Sequence, residues 1–394
     1  MPDPAAREDE MTQTERIAGD GGPGRVGRDD AVVERLEVIV LSVPTSQPEA
    51  DGTLAWDATT VVVVRAHSGR VHGTGWTYAD RSAAGVVRSL LEPEIVGHDV
   101  MDVPGANEAM TRVVRNAGRP GVAACAISAV DIALWDLKAR LLGVSLVGLL
   151  GRARDSVPVY GSGGFTTYDD ETTRRQLEGW VTEQGVDAVK IKIGESWGGA
   201  VDRDLHRVSL TRRVVGDDVA VYTDANGGYT RGTALRVEHA MRDLGVTWFE
   251  EPVSSDDLVG LAQLRARTLA DVAAGEYGWT LGYFEQMLAA GAVDCVQADI
   301  TRCGGLTVWL QVAAVAAAHH TDISAHCAPQ LSVHAAVAVP NARHLEWFAD
   351  HTRLDPMVFD GVLQPVGGRL RPDTGRTGHG MVLRDRDVEQ FRVA

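Results

Sequence analysis

Eight short runs of β-branched and aromatic residues alternate with amphipathic stretches in the second half of the chain. The runs are VPVYGSG (157–163), AVKIKIG (188–194), VAVYTDAN (219–226), VTWFEEP (246–252), ADVAAGE (270–276), DCVQAD (294–299), DISAHC (322–327) and HLEWF (344–348). Helical patterns lie between them at 169–184, 200–215, 230–244, 280–290 and 305–319, with a short one at 331–338. Eight such steps favour a closed parallel (β/α)₈ barrel over an open doubly wound sheet.

The preceding segment, residues 31–150, has a different pattern. Strand-like runs lie at 33–43, 59–67 and 69–79, and the last two flank a Ser68-Gly69 turn. Helical patterns follow from about 82 to 117, and a long, mostly buried helix is predicted over 121–143, ended by Gly143. This order predicts an α+β domain in which a small sheet precedes the helices.

The two ends of the chain lack such periodicity. Residues 1–30 are rich in Asp, Glu, Arg and Gly, which predicts a disordered tail, with Met11 as an alternative start that would leave residues 1–10 outside the native protein. The Gly- and Pro-rich end, residues 361–394, is predicted to pack back as irregular structure.

Composition excludes several classes of partner. The net charge of −16 argues against nucleic acid and anionic membranes, which both require basic surfaces. No apolar run approaches the roughly 18 residues of a membrane span, and the acidic N-terminus does not resemble a secretory signal. The four cysteines have no zinc-site spacing, so we expect reduced thiols in a cytoplasmic protein.

Titratable residues occupy the C-terminal ends of the predicted barrel strands, which form the active-site face of such a barrel. In chain order they are Lys190 and Lys192, Asp224, Glu250 with Glu251, Glu276, Asp299, His326 and Glu346. An unpaired charge inside a buried strand is costly, so charged ends on successive strands indicate a functional site.

The lysines are distinctive because only three of the 38 Lys and Arg residues are lysine. Two of the three are Lys190 and Lys192, which share one side of their strand. A desolvated lysine can lose its proton and an arginine cannot, so this pair predicts proton-transfer chemistry.

Three carboxylates are equally spaced along the chain. Asp224 and Glu250 are separated by 250 − 224 = 26 residues, and Glu250 and Glu276 by 276 − 250 = 26. One βα unit therefore separates each from the next, so they converge at one height, where a cation must offset their repulsion. An all-oxygen site with few protein ligands suits Mg²⁺.

Asp299 and His326 are predicted to lie across this metal from the lysines, with the carboxylate orienting the imidazole. A metal between two different bases suggests abstraction of a proton next to a substrate carboxylate, with the metal stabilising the enediolate. The residues alone do not name the substrate.

The motifs together resemble the enolase superfamily, and within it the mandelate racemase-like group of the mandelate racemase/muconate lactonizing enzyme family, which includes acid-sugar dehydratases. The similarity covers about residues 31–390. It is carried by DIALWDLKARLLG, AVKIKIG, TDAN, WFEEP, AAGE, QAD followed by CGG, SAHC and HLEW. The resemblance implies a modified barrel, (β/α)₇β, over 151–360, a capping domain over 31–150, and a C-terminal segment, 361–394, that returns to the cap. It also suggests a homo-oligomer, often of eight subunits.

The resemblance implies a role for each residue. Asp224, Glu250 and Glu276 would be the Mg²⁺ ligands, because the first Glu of the EEP motif is the family ligand and Glu251 is not. Lys192 would act as base or acid on one face, and Lys190 would contact the substrate carboxylate and lower the pKa of Lys192.

On the other face the resemblance implies that His326 and Asp299 form a dyad, and that Glu346 is the acid that hydrogen-bonds the substrate carboxylate. Trp56, in the segment PTSQPEADGTLAWDATT, is a candidate substrate contact. Tyr160 and Ser162 on the first barrel strand are similar candidates.

The predicted function is a Mg²⁺-dependent dehydratase, a hydro-lyase that converts an aldonate- or aldarate-type sugar acid into a 2-keto-3-deoxy acid. A racemase or epimerase of a 2-hydroxy acid is the alternative on the same site, and a non-catalytic binding barrel is the alternative of another class. The resemblance disfavours cycloisomerase or synthase chemistry, because relatives with those activities generally place a lysine on the sixth strand, which here carries Asp299 and no lysine. Whether Lys192 or His326 removes the proton stays open.

Overall fold

The computed structural model describes residues 31–393. The predicted tail, residues 1–30, and the alternative start at Met11 lie outside the described residues. Among those described, no helix is long and apolar enough to cross a membrane.

The first unit opens with a three-stranded antiparallel sheet in the order β1-β2-β3. Its strands are β1 (Arg35–Ala50), β2 (Ala55–Ser68) and β3 (Val71–Thr77). Gly69 has a φ of +57°, which suits the tight turn predicted at Ser68-Gly69. The first two strands extend beyond their predicted ends, because the β1–β2 ladder continues after a register shift between Pro44 and Glu49. The hairpin therefore projects past the sheet.

Helices cover one face of this sheet. They are α1 (Ser82–Val86), a π-helical turn (Val87–Leu91), α2 (Glu92–Ile95), α3 (Val103–Val113), a 3₁₀ turn (Val114–Asn116), α4 (Val122–Leu141) and α5 (Leu146–Leu150). The long buried helix predicted over 121–143 is α4, and Gly143 follows it with a φ of +70°. Gly75 on β3 lets α4 pack close, since a Cβ there would lie 2.2 Å from the Ala129 carbonyl oxygen.

Eight parallel strands form a closed barrel, as predicted. They are β4 (Val157–Gly163), β5 (Ala188–Lys192), β6 (Ala220–Asp224), β7 (Val246–Glu250), β8 (Asp271–Ala274), β9 (Cys295–Ala298), β10 (Asp322–Ala325) and β11 (Ala342–Phe348). Pairing of β11 with β4 closes the sheet. Each strand is short and buried on both faces, which explains its nearly continuous apolar sequence.

Helices connect the barrel strands. They are α6 (Asp170–Thr182), α7 (Glu195–Gly198), α8 (Val201–Val215), α9 (Arg231–Met241) with a 3₁₀ turn (Arg242–Leu244), α10 (Leu258–Arg265), α11 (Leu281–Ala289), α12 (Gly305–Ala318) and α13 (Pro329–Ala338). The turn α7 is distorted, since Ser196 and Trp197 have positive φ. The seven connections between strands each contain one regular helix, which confirms the (β/α)₇β pattern.

The chain then continues through α14 (Ala349–Val358), β12 (Phe359–Asp360), β13 (Arg369–Leu370), β14 (Val382–Leu383) and a 3₁₀ turn (Val388–Phe391). This last stretch contacts both units: β13 pairs with β4, and the Val393 amide donates to the Val40 carbonyl at 3.0 Å. The domain boundaries at 150/151 and 360/361 stay predictions.

Candidate active site

The three equally spaced carboxylates converge at one end of the barrel. Asp224 and Glu250 are direct neighbours in the β6–β7 ladder, and Glu276 lies two residues beyond β8. All three are buried, and one ligand oxygen from each lies within 4.8 Å of the others. The in-register parallel strands therefore bring these side chains to one height.

The two lysines contact this carboxylate cluster from β5. Lys190 Nζ lies 2.6 Å from Glu250 Oε1 and 2.8 Å from Glu346 Oε1, and Lys192 Nζ donates to Asp224. Burial works to lower the pKa of Lys192, but the carboxylates of Asp224, Glu276 and Glu346 together outweigh burial and raise that pKa above its usual value. The nearby Lys190 charge works to lower the pKa of Lys192, but by less than Asp224 raises it, and the predicted role of Lys190 stays a prediction.

The imidazole of His326 lies at the end of β10, next to the carboxylate cluster. Its Nδ1 is 2.8 Å from Asp299 Oδ2, and its Nε2 is 3.3 Å from Glu276 Oε2. Burial alone would lower the pKa of His326, but the carboxylates of Glu276 and Glu346 and the hydrogen bond to Asp299 raise it. The structure thus brings the predicted pair together with one ring nitrogen directed to the carboxylates.

Glu346 is held by three donors. Its Oε1 accepts from Lys190 and from Ser162 Oγ at 2.6 Å, and its Oε2 accepts from the Cys327 amide at 2.8 Å. Despite burial, the Lys190 charge holds the pKa of Glu346 well below its usual value. These donors favour the ionised form of Glu346, and its predicted role as an acid toward the substrate carboxylate stays a prediction.

Two further predicted contacts have different surroundings. Trp56 lines the cavity above the carboxylates, and its Nε1 donates to Glu49 Oε2 at 3.0 Å. Tyr160 lies fully buried in the barrel interior, where its hydroxyl accepts from Gln297 at 2.8 Å. Tyr160 is not among the residues that line the cavity.

A cavity of about 310 Å³ opens above the site. Lys192, Glu276 and His326 line its floor, and the projecting β1–β2 hairpin contributes one wall. The hairpin is fixed to the barrel, since the Thr166 amide donates to the Ala50 carbonyl at 2.8 Å. The hairpin backbone at Gly52 packs so closely against the barrel that a Cβ at this position would lie 2.5 Å from the Ile193 carbonyl oxygen.

Sequence reasoning missed two residues of this site. Arg302 bridges two predicted members: its Nε is 3.3 Å from Asp299 Oδ2 and its Nη1 is 3.3 Å from Glu276 Oε1. Asn226 lines the cavity, and its buried Oδ1 has no hydrogen-bond partner among the described residues. Their positions in the sequence could have indicated both residues, because Arg302 comes three residues after Asp299 and Asn226 comes two residues after Asp224.

The carboxylate cluster fits a hard divalent cation. Burial raises the pKa of Glu250 to about 8, although Lys190 opposes the shift, so negative charge is costly there without a neutralising partner. Although His326 Nε2 lies 3.3 Å away, the buried Glu276 Oε2 accepts no hydrogen bond in the part of the chain that the structure describes. Three carboxylates, one of which has an oxygen without a hydrogen bond, match the oxygen ligands that Mg²⁺ takes from proteins.

Glu251, which was predicted not to be a ligand, is buried beside this cluster with a φ of +36°. Burial raises the pKa of Glu251 well above its usual value, and the charges of Glu276 and Asp224 raise it further.

A second group of potential ligand atoms comes from His326, Cys327 and Glu346, and these atoms lie within 4.8 Å of one another. That group shares His326 and Glu346 with the site already described.

The capped barrel, with its lysine pair, carboxylate cluster and His–Asp pair, defines a protein of the enolase class. Residues 172–388 match the family model described as enolase C-terminal domain-like, and residues 35–151 match the mandelate racemase/muconate lactonizing enzyme N-terminal domain. The chain therefore belongs to the mandelate racemase/muconate lactonizing enzyme family, as the resemblance implied.

Three similar proteins illustrate this family. The L-talarate/galactarate dehydratase of Salmonella typhimurium is 31% identical, with 86% of each chain covered. The solved structure of a mandelate racemase/muconate lactonizing enzyme-like protein from Rubrobacter xylanophilus is 47% identical, with a TM-score of 0.88, covering 92% of this chain and all of that one. A racemase structure from Streptomyces coelicolor with bound magnesium is 29% identical, with a TM-score of 0.86 over 92% of this chain and all of that one.

Proposed function

We propose that this chain is a Mg²⁺-dependent dehydratase of a sugar acid. The observation that carries the proposal is the convergence of Lys192 and the His326–Asp299 pair on one buried carboxylate cluster. The related dehydratase supports this chemistry. A barrel that only bound a ligand would have no need to bury two proton-transfer groups beside such a cluster.

Asp224, Glu250 and Glu276 would hold Mg²⁺, which neutralises charge on the substrate carboxylate and so acidifies the adjacent C–H bond. Neutralisation of Asp224 would also remove the largest interaction that raises the pKa of Lys192, leaving its amine free to accept a proton. Lys190 would face the substrate carboxylate. We propose that Glu346 also positions Lys190, because its Oε1 lies 2.8 Å from Lys190 Nζ.

In the reaction, Lys192 Nζ removes the α-proton, and the electron pair of that bond forms the enediolate. Breakage of the β-carbon–oxygen bond follows, and His326 Nε2 supplies the proton that converts the departing hydroxide to water. The resulting enol tautomerises to the 2-keto-3-deoxy acid. For a substrate of the opposite α-configuration, His326 would be the base.

Racemisation or epimerisation is the second candidate. Both Lys192 and His326 line the cavity, so a proton removed by one could be returned by the other. The magnesium-containing racemase structure supports this reading. The two candidates differ in the fate of the enediolate, which either expels the β-hydroxyl or takes up a proton at the α-carbon on the opposite face.

A screen of a broad acid-sugar library with Mg²⁺ tests the proposal. Semicarbazide detects 2-keto acids, and parallel samples in D₂O are followed by proton NMR. A keto acid from one or a few substrates supports the dehydratase. Deuterium at the α-carbon without a keto acid favours the racemase, and no reaction in either assay counts against both.

Two further expectations stay proposals. The four cysteines are free and buried, which supports a cytoplasmic location where thiols remain reduced. A homo-oligomer, as large as eight subunits, is expected from the family alone.

A further inference from the structure

We propose that the substrate is a monocarboxylic sugar acid, whose end remote from the reacting carboxylate is uncharged. The inference rests on the proposed dehydratase function and concerns the outer wall of the same cavity. This wall is formed by the β1–β2 hairpin, the segment after β3 and the start of α14. Its aspartate and threonine members are Asp51, Thr59, Thr60, Asp80 and Asp350.

The part of the chain that the structure describes places no free cation on the outer wall. Among the described lining residues, the lysine and arginine side chains are Lys192 and Arg302, and both are paired at the floor, with Asp224 and with Glu276 and Asp299. Behind the wall, Arg353 Nη2 lies 2.6 Å from Asp350 Oδ1. A second substrate carboxylate would give up water without gaining an ion pair.

The histidine of the outer wall, His351, does not supply a cation there, and His326 lies at the floor beside Asp299 and Glu276. His351 lines the wall and stacks on Tyr78, with ring centroids 3.5 Å apart. Burial lowers the pKa of His351 to about 4, although the Asp350 charge opposes the shift, so the ring is neutral at neutral pH. The stacked geometry also leaves its face covered by the tyrosine.

Acidic groups on the wall oppose a second carboxylate directly. Asp51 closes the hairpin turn, where its Oδ1 accepts from the Thr53 and Leu54 amides, and it has no basic partner among the described residues. Asp80 is exposed at the rim, and its Oδ1 accepts from the Ser82 amide at 2.8 Å. Like charges within one cleft disfavour a dianionic ligand.

The same groups suit a neutral polyol end. Sugar hydroxyls are donors as well as acceptors, so carboxylates and threonine hydroxyls can accept from them. Thr59 Oγ1 already donates to Asp350, which leaves its lone pairs as acceptors on the cavity side of the hairpin. The wall therefore discriminates by charge, through repulsion of the wrong ligand as well as attraction of the right one.

Matched acids test this inference. Galactonate and galactarate, and gluconate and glucarate, differ only in a terminal CH₂OH or carboxylate. We would measure kcat/KM with Mg²⁺ for turnover and α-proton exchange, and calorimetric binding to the Mg²⁺-loaded protein. The expected result is a preference of about tenfold or more for the monoacid of a responding pair. Equal or better handling of the diacid would overturn the inference, as would no binding of any monoacid.

A charge reversal on the wall sharpens the test. In Asp80→Lys the new cation should raise kcat/KM for the diacid, and so lower the ratio of kcat/KM for the monoacid to kcat/KM for the diacid. Asp217→Lys, an exposed change in the loop before β6 at the opposite end of the barrel, is the matched control and should leave the ratio unchanged. An unchanged ratio in Asp80→Lys would contradict the wall's role. Monoacid binding without turnover or α-proton exchange would instead refute the proposed dehydratase function, but it would leave the proposed preference of the outer wall for monoacids intact.

Discussion

His326 and Asp299 are joined by a 2.8 Å hydrogen bond between Nδ1 and Oδ2, although they are 27 residues apart and follow different strands. The bond fixes the imidazole so that Nε2 faces the carboxylate cluster. A carboxylate behind an imidazole sets the tautomer and stabilises the protonated ring. The geometry thus assigns Asp299 to positioning His326.

Asp299→Asn should retain the fold and lose dehydration. The amide can keep a hydrogen bond to Nδ1 but cannot stabilise the imidazolium, so we expect kcat to fall on the order of a hundredfold to ten-thousandfold. Steady-state assay of keto acid would measure the loss. Near-normal kcat in a folded variant would remove Asp299 from the mechanism.

Lys192→Ala and His326→Asn should separate the two proton transfers. If Lys192 is the base, its removal abolishes both α-proton exchange and dehydration. His326→Asn should abolish dehydration while leaving exchange of the α-proton with solvent. Proton NMR in D₂O reports exchange, and the keto-acid assay reports dehydration; a reversed pattern would make His326 the base.

Glu250→Gln should lose the stabilisation that Mg²⁺ provides. Specific binding raises the free energy of unfolding with ligand concentration, so the wild-type Tm should rise when Mg²⁺ is added after EDTA treatment. The variant should show little rise and no activity. Glu251→Gln is the matched control, because it removes a neighbouring buried carboxyl that was not assigned to the metal. Full activity of Glu250→Gln would refute the assignment.

Gly75→Ala should destabilise the first unit. Its Cβ would overlap the Ala129 carbonyl oxygen and the Ala133 amide of α4, so we expect a loss of about 1–3 kcal/mol in the free energy of unfolding. Gly85→Ala in α1 is the control: no atom lies within 4 Å of its Cβ, and alanine should stabilise the helix by about 0.5–1 kcal/mol. Denaturant titration distinguishes them, and equal effects would contradict the packing argument.

Glu49→Gln should change how stability depends on pH. Burial and the Asp350 charge raise the pKa of Glu49 to about 7, from 4.5. The folded protein therefore holds a proton that the unfolded chain releases, and this residue lowers stability as pH rises from 4.5 to about 7. Glutamine does not ionise, so the variant should not undergo this loss of stability as the pH rises. The Tm of the variant should exceed that of the wild type at about pH 8 and differ less at about pH 5.

The barrel and the convergence of its charged residues were predictable from the sequence. The alternation of strands and helices is local information, and parallel strands necessarily end at one face. Equal spacing predicted that Asp224, Glu250 and Glu276 converge, and in the structure one oxygen of each lies within 4.8 Å of the others. Their roles stay predictions, since proximity alone does not show a bound ion.

Other features depended on contacts between distant segments. The preference of Glu346 for its ionised form follows from Lys190, Ser162 and the Cys327 amide, which no local pattern connects. Trp56 was singled out, but its partner Glu49 was not, because a register shift in the hairpin brings them together. Such features arise from tertiary packing rather than from periodicity.

The projecting β1–β2 hairpin has an evolutionary consequence. The proposed proton-transfer groups lie at the ends of the barrel strands, whereas the hairpin, which we propose meets the far end of the substrate, is encoded more than a hundred residues earlier in the gene. Mutations in the hairpin can therefore exchange one substrate for another without touching the proton-transfer groups. Diversification of this protein, natural or directed, should begin in that hairpin.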